Sequence, residues 1–317
     1  MKNGEPEEKL ESTGDEALRI EGLMSAESID LSYKHLSEPA QKLFARMSFF
    51  PGGLSEGIDL FELLGDGWKD TAEELTNYKL AKYDNPTERY TMLDPVRQHA
   101  EEKLNKAEGD KFRRRATEFW ADFARWNDLM IDVQPTTQEA VAEESNLQDD
   151  PEEQQKAHEI LHSEGFAALQ AEEINLVHAA EWALVAGEET GLGIVNSMDD
   201  YLELKARWDT KERLYQLALP LRRRLAEKNP EEYLPDVAMT LNNMGVLLKN
   251  TGRPEKALKY FEEALGIYRE FYRRYPSVYA QNFLIVLRSA AEVYEKLGMA
   301  EKAAECRQEI ERVKSDE

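Results

Sequence analysis

Apolar residues recur at helical spacing through most of this chain. Ser37-Glu-Pro-Ala reads as an N-cap with proline in the first turn, leading into the run Gln41–Phe50. Pro51-Gly-Gly53 ends that helix. Leu54, Ile58, Phe61 and Leu64 predict a short helix, and Thr71–Leu80 another through Leu75 and Tyr78. Leu80-Ala-Lys-Tyr83 and Arg89-Tyr-Thr-Met-Leu93 flank Asp84-Asn-Pro-Thr-Glu88, the pattern of a small β-hairpin. Further on, Phe112, Ala116, Phe119, Trp120, Phe123 and Trp126 form a broad aromatic face for a core. Residues 132–155 are acidic, carry Pro135 and Pro151 and lack an apolar stripe, so they read as a loop. Helical order returns in Ala157–Gln170 and again in Glu172–Leu184, stopping at Gly187.

The last part of the chain repeats itself. Asn250-Thr-Gly-Arg-Pro-Glu-Lys-Ala-Leu aligns with Lys296-Leu-Gly-Met-Ala-Glu-Lys-Ala-Ala304 at a shift of 46 residues. The same shift backwards reaches Leu204-Lys-Ala-Arg-Trp-Asp-Thr-Lys-Glu-Arg-Leu-Tyr-Gln-Leu-Ala-Leu219. In the first unit Ala206 replaces the turn glycine, and in the last Arg307 stands where Phe261 stands in the middle. The expected organisation is a tail over 1–24, a helix-and-hairpin domain over 25–104, a helical linker over 105–194 with its acidic loop, and helical repeats over 195–317. The fold class is all-α, mainly helical, with the hairpin as its only sheet.

Composition narrows the function classes. Lysine and arginine number 40 against 63 aspartates and glutamates, a net charge of −23, which repels phosphate backbones and argues against a nucleic-acid partner. No stretch approaches the roughly 20 apolar residues of a membrane span. A single cysteine, Cys306, forms no internal disulfide, and a cytoplasmic protein is expected. That thiol reads as a small packing residue on the last helix. Trp120, Trp126, Trp182 and Trp208 suit buried helix contacts better than a cofactor box, and no cofactor is expected.

Some motifs suggest chemistry. His158-Glu159-Ile160-Leu161-His162 is a literal H-E-x-x-H, which on a helix sets two imidazoles one turn apart for zinc, with Glu159 as base. Glu181 is a candidate third ligand, giving a zinc metallopeptidase as the alternative function. The bland reading, a solvated helix, is preferred, because Glu181 falls within a stretch that another pattern explains. Arg113-Arg-Arg115 and Arg222-Arg-Arg224 are compact basic clusters whose ordinary role is as partners for carboxylates on helix faces.

Leu241, Met244, Gly245, Leu248, Gly252, Ala257, Phe261 and Ala264 occupy the small and large positions of the tetratricopeptide pattern, and this segment resembles that family. The family's usual period is about 34 residues; a period of 46 implies longer helices or wider connections. The resemblance implies a superhelix whose groove holds a protein or peptide, with Asn242, Asn243, Lys249 and Asn250 as exposed polar contacts. The front half resembles the winged-helix domain of the signal-transducing ATPases with numerous domains, the STAND or NB-ARC class. The stretches that carry this are Ser28-Ile-Asp-Leu-Ser-Tyr-Lys-His-Leu36, Phe49-Phe-Pro-Gly-Gly53 and Tyr90-Thr-Met-Leu-Asp-Pro-Val-Arg-Gln-His-Ala100, with Glu173-Ile-Asn-Leu-Val-His-Ala-Ala-Glu-Trp-Ala-Leu184 as the linker. In that class a Met-His-Asp motif senses nucleotide; here Met92, Leu93 and Asp94 hold the place, and Leu93 has no imidazole. No Gly-x-x-x-x-Gly-Lys-Ser/Thr occurs, so ATP hydrolysis is not expected of this chain and a non-enzymatic regulatory role is. The resemblance implies an ATPase module as partner, in cis or in trans. A winged helix also admits a DNA-binding regulator as a second alternative, which the acidic charge opposes.

Overall fold

The computed structural model describes residues 25–104, 106–131 and 151–316, with side chains from 162 onward in the last segment. The described residues are mainly helical, with one small sheet, and fall into two compact units that divide between Ala179 and Ala180.

In the first unit, α1 (Ala26–Lys34), α2 (Glu38–Met47), α3 (Phe61–Leu64), α4 (Trp68–Asn77) and α5 (Asp94–Glu102) surround strands β1 (Leu54–Ser55), β2 (Lys82–Asp84) and β3 (Arg89–Thr91). Ser37 caps α2 as its sequence predicts, its Oγ accepting from Ala40 N–H at 3.4 Å while its own N–H and hydroxyl donate to Glu74 at 2.7 Å each. The hairpin β2–β3 is present, with Tyr83 opposite Tyr90 and Asp84 opposite Arg89. Leu54 and Ser55 do not begin a helix; they form a third strand against Tyr90 and Arg89, in the order β1-β3-β2. Only Phe61–Leu64 of the expected Leu54–Leu64 helix is helical. Gly53 makes the strand possible, because its φ is +80° and a Cβ there would run into the Tyr90 carbonyl.

Helix α6 (Lys106–Ile131) brings Phe112 and Trp120 into a buried aromatic cluster with Phe49 and Phe50, ring centroids 6.1 to 6.5 Å apart. Trp126 departs from expectation: it is 64% exposed, because it sits on the flank of the aromatic face rather than at its centre. Helix α7 (Pro151–Ala186) is continuous. Residues 151–155, expected in the acidic loop, are its first turns, and the expected break near residue 171 is absent, since Ala171 and Glu172 are ordinary helix formers. Residues 132–150 lie outside the described residues.

The second unit continues through α8 (Thr190–Ser197), α9 (Asp199–Leu204), α10 (Trp208–Lys228), α11 (Pro230–Asn250), α12 (Pro254–Arg274), α13 (Pro276–Lys296) and α14 (Ala300–Asp316). From α10 onward each helix packs on the next. The long period has a simple origin: α10, α11, α12 and α13 are each 21 residues long, joined alternately by one residue and by three. The one-residue joints are Asn229 and Tyr275, both outside the helical region at φ −140° and −137° because proline follows and disfavours the helical conformation. Each three-residue turn is a Schellman close. Arg207, Arg253 and Met299 N–H bond back to Leu202, Leu248 and Tyr294 carbonyls, all at 2.8 Å. The residues before them, Ala206, Gly252 and Gly298, have φ of +53°, +78° and +74°. Ala206 therefore takes the glycine conformation without being glycine.

Candidate functional site

Within each repeat unit the two helices cross where small residues are expected. In the middle unit Gly245 on α11 lies under the Phe261 ring of α12, whose atoms are 2.7 to 2.9 Å from where a Cβ would be. Ala257 is fully buried in α12. The last unit has Ala291 and Ala303 at these places, both buried, but Arg307 replaces the aromatic ring and turns outward to pair with Glu295.

The first unit solves the same crossing with charge. Asp199 takes the place of Gly245, Lys211 that of Ala257 and Tyr215 that of Phe261, each 46 residues earlier. Lys211 is 3% exposed. Its Nζ lies 3.2 Å from Asp199 Oδ2, 3.2 Å from the Asp199 carbonyl and 2.7 Å from Glu203. The Tyr215 hydroxyl donates to Asp199 Oδ1. Burial pushes the Asp199 pKa above the ordinary carboxylate range, although Lys211 and Tyr215 pull it down. Burial, and then the Asp199 charge, push Tyr215 up. Arg222 is a second buried cation on the same helix. It donates to Asn196 Oδ1 at 2.5 Å, to the Asp236 carbonyl at 3.3 Å and to Thr240, and burial holds its pKa down.

This polar crossing opens onto a cavity of about 70 Å³, lined by Asp199, Glu203, Trp208 and Lys211 on one side and by Asn243 and Asn250 of α11 on the other. Two of the four expected contact residues thus meet at one place. Lys249 is directed to the next helix, bonding Glu292 at 2.7 Å, and Asn242 donates to Asn243 at 3.3 Å. Only Asn250 is exposed; Asn242, Asn243 and Lys249 are half-buried, a correction to their reading as exposed positions. The pair of half-buried Asp199 with buried Lys211 is not among the sequence expectations. Its sequence signal is a pair of charges at small-residue positions of the repeat.

In the first unit β3, the Gly52–Gly53 turn and α7 meet at a buried hub. Arg89 on β3 bonds Glu172 of α7 through both guanidinium nitrogens, and donates to the Gly52 carbonyl at 3.1 Å and to the Ala171 carbonyl at 3.3 Å. Asn175 accepts from Gly52 N–H at 2.9 Å and donates to the Gly53 carbonyl at 2.9 Å and to Glu172 at 2.8 Å. Glu172 and Asn175 are 2% and 1% exposed. Met92, Leu93 and Asp94 lead into α5; Leu93 is 38% exposed and Asp94 pairs with Arg97 at 2.7 Å.

The candidate zinc ligands His158, Glu159, His162 and Glu181 all belong to helix α7. His162 falls in the first unit and Glu181 in the second, 19 residues later in the sequence. The Glu181 carboxylate is bonded to Arg213. The His158 and Glu159 side chains lie outside the described residues, and among the described residues no group of three potential ligands gathers. Nor is any described helix long and apolar enough to cross a membrane.

Comparison with known proteins agrees on the repeat. The family described as Tetratricopeptide repeat matches residues 237–270, which are most of α11 and most of α12. No curated protein matches the chain. Among solved structures it is similar to a signal transduction ATPase with numerous domains that carries a tetratricopeptide repeat sensor, from Pyrococcus horikoshii. The identity is 15% and the TM-score 0.25, over 89% of this chain and 51% of that one. This chain therefore spans about half the length of that protein. Residues 237–270 thus match a tetratricopeptide repeat, and the neighbouring helices continue the chain's 46-residue period.

Proposed function

We propose that this chain is the regulatory, protein-binding part of a STAND-type signalling ATPase, with the repeats of its second unit holding a protein or peptide partner. The observation that carries the reading is the helical array of equal period, whose middle unit matches a family that is built for protein recognition. The partner's contacts are Asn242, Asn243, Lys249 and Asn250, with Asn243 and Asn250 taking a small polar group at the cavity. The helices and three-stranded sheet of the first unit support the winged-helix reading, and the Arg89–Glu172–Asn175 hub fixes the hairpin to α7 as a relay element would require. Leu93 and Asp94 stand exposed at the head of α5, where an ATPase module would pack. Occupancy of the repeats shifts that module only if the partner binds one of its states more tightly.

The test is capture from lysate of the source cell on the immobilised full chain, compared with a chain carrying Asn242→Ala, Asn243→Ala, Lys249→Ala and Asn250→Ala. A protein retained by the first and lost by the second supports the assignment. Identical retention by both sinks it.

A further inference from the structure

Between α2 and α6 the first unit holds a cavity of about 460 Å³ whose charge opposes that of the whole chain. Lys42, Arg46, Lys103, Lys111 and Arg115 line it, against Glu38 and Glu108. Lys103 is engaged by Asp30 at 2.6 Å. The other four cations make no ion pair among the described residues. Arg115 gives one hydrogen bond to a neutral acceptor, the Glu62 carbonyl at 2.6 Å. Arg46 is half-buried, its guanidinium 4.9 Å above the Phe112 ring. Burial, and then the neighbouring Arg115, depress its pKa. A chain with 63 acidic residues thus gathers around one recess four cations that, among the described residues, make no ion pair. Arg46 is the partly desolvated member of this group, Lys42, Lys111 and Arg115 being exposed, and a desolvated cation beside a like charge is stabilised when an anion joins it.

We infer that this recess is a binding site for a small molecule bearing several phosphate charges. The volume falls in the range of about 300–1,000 Å³ typical of small-ligand sites and is too small for a folded segment. The net lining charge matches a multivalent anion, and the two guanidinium groups offer the forked donors that suit phosphate oxygens. Tyr33, Leu104 and Phe112 supply an apolar wall for the rest of the ligand. The site lies on the first unit and does not depend on the repeats binding a partner.

Sodium tripolyphosphate is the probe, titrated into the full chain by calorimetry and followed by thermal melting, with sulfate at equal ionic strength as reference. One saturable site is expected, with a melting temperature that rises with tripolyphosphate and not with sulfate. Arg46→Met weakens binding by at least about tenfold, yet melts no lower than the parent without the probe, because it removes an unpaired charge and keeps the stem. Lys42→Gln with Lys111→Gln, both exposed, gives the same loss of binding without touching the core. Lys256→Gln with Lys259→Gln on α12 makes the same charge change elsewhere and leaves binding unaltered. Absence of saturable binding overturns the inference, as does equal loss in the α12 control. A hexaglutamate peptide that binds as tightly as tripolyphosphate overturns it in favour of an acidic protein segment.

Discussion

Replacing Lys211 by methionine keeps the buried stem and deletes the charge at the first repeat crossing. The side chain is 4% exposed, between Asp199 at 25% and Glu203 at 49%. Removing one partner of a fully buried pair costs about 3–5 kcal/mol. Here Glu203 regains water and Asp199 keeps its Tyr215 hydrogen bond, so a loss of about 2–3 kcal/mol at neutral pH is expected. The sign of the pH effect identifies the cause. Burial already raises the Asp199 pKa above its ordinary 3.8 in the presence of Lys211, and without the ammonium it rises further. The folded state then holds the proton more tightly than the unfolded chain. The associated stability is complete below the unfolded value and is lost as pH rises through the folded one. The variant should therefore lose less stability at about pH 5 than at about pH 7.5. Adding Asp199→Asn removes the stranded charge, retains an acceptor for Tyr215 and should recover all but about 1 kcal/mol. Urea unfolding by circular dichroism and tryptophan fluorescence measures each corner of the cycle. Equal losses at both pH values, or additive single losses, would refute the electrostatic account and leave only packing.

Other substitutions test other links. Ala206→Gly relieves a residue held at φ +53° and should stabilise by about 0.5–1 kcal/mol after the greater freedom of the unfolded glycine is counted; a lower melting temperature would contradict this. Gly245→Ala presses a methyl into the buried Phe261 ring, so its gain in helix propensity should be outweighed by overpacking, a net loss of about 1 kcal/mol that shrinks in a Phe261→Leu background. Arg89→Ala strands Glu172, and hydrogen exchange at Gly52 and Gly53 should accelerate, with a loss of about 3 kcal/mol in the first unit; unchanged exchange would show that Asn175 alone holds the turn. Glu262 has its pKa lowered chiefly by the Lys302 hydrogen bond, and also by Tyr294. Its contribution is present above its ordinary 4.5 and fades as pH falls below that. Glu262→Gln should accordingly flatten part of the acid limb of the stability profile, and a parallel profile would exclude the effect.

The repeat period was legible because it is carried by local chemistry. Glycine at Gly252 and Gly298 and proline after Asn229 and Tyr275 fix turns whatever surrounds them. The hairpin was legible for the same reason. What escaped the sequence depends on distant partners. Leu54–Ser55 is too short to show alternation, and it is a strand only because Tyr90 and Arg89 pair with it. Helix α7 looked broken because its apolar residues do not keep to one stripe, yet nothing at residue 171 stops a helix. The hub joins residues more than 80 positions apart, and no spacing rule links Arg89 to Glu172. Trp126 is exposed despite its spacing because helical spacing gives the direction of a side chain but not the edge of the surface that covers it.

The array separates two tasks. Helices α10 to α13 are of equal length and the three-residue turns share one conformation, so the path of the chain there does not depend on the residues at the crossings. Those residues then differ freely: a charged triad at Asp199, Lys211 and Tyr215, glycine under an aromatic ring at Gly245 and Phe261, and paired alanines at Ala291 and Ala303. The middle crossing is apolar and offers a ligand only shape. The charged crossing has buried donors and acceptors whose partners are within the fold, and it borders the cavity that Asn243 and Asn250 share. A partner that reaches that cavity meets polar groups already oriented by Lys211, at little further ordering cost. Partner selectivity in this array should therefore concentrate at the first crossing, where deleting Lys211 disturbs binding and stability together, while changes at Gly245 disturb stability alone.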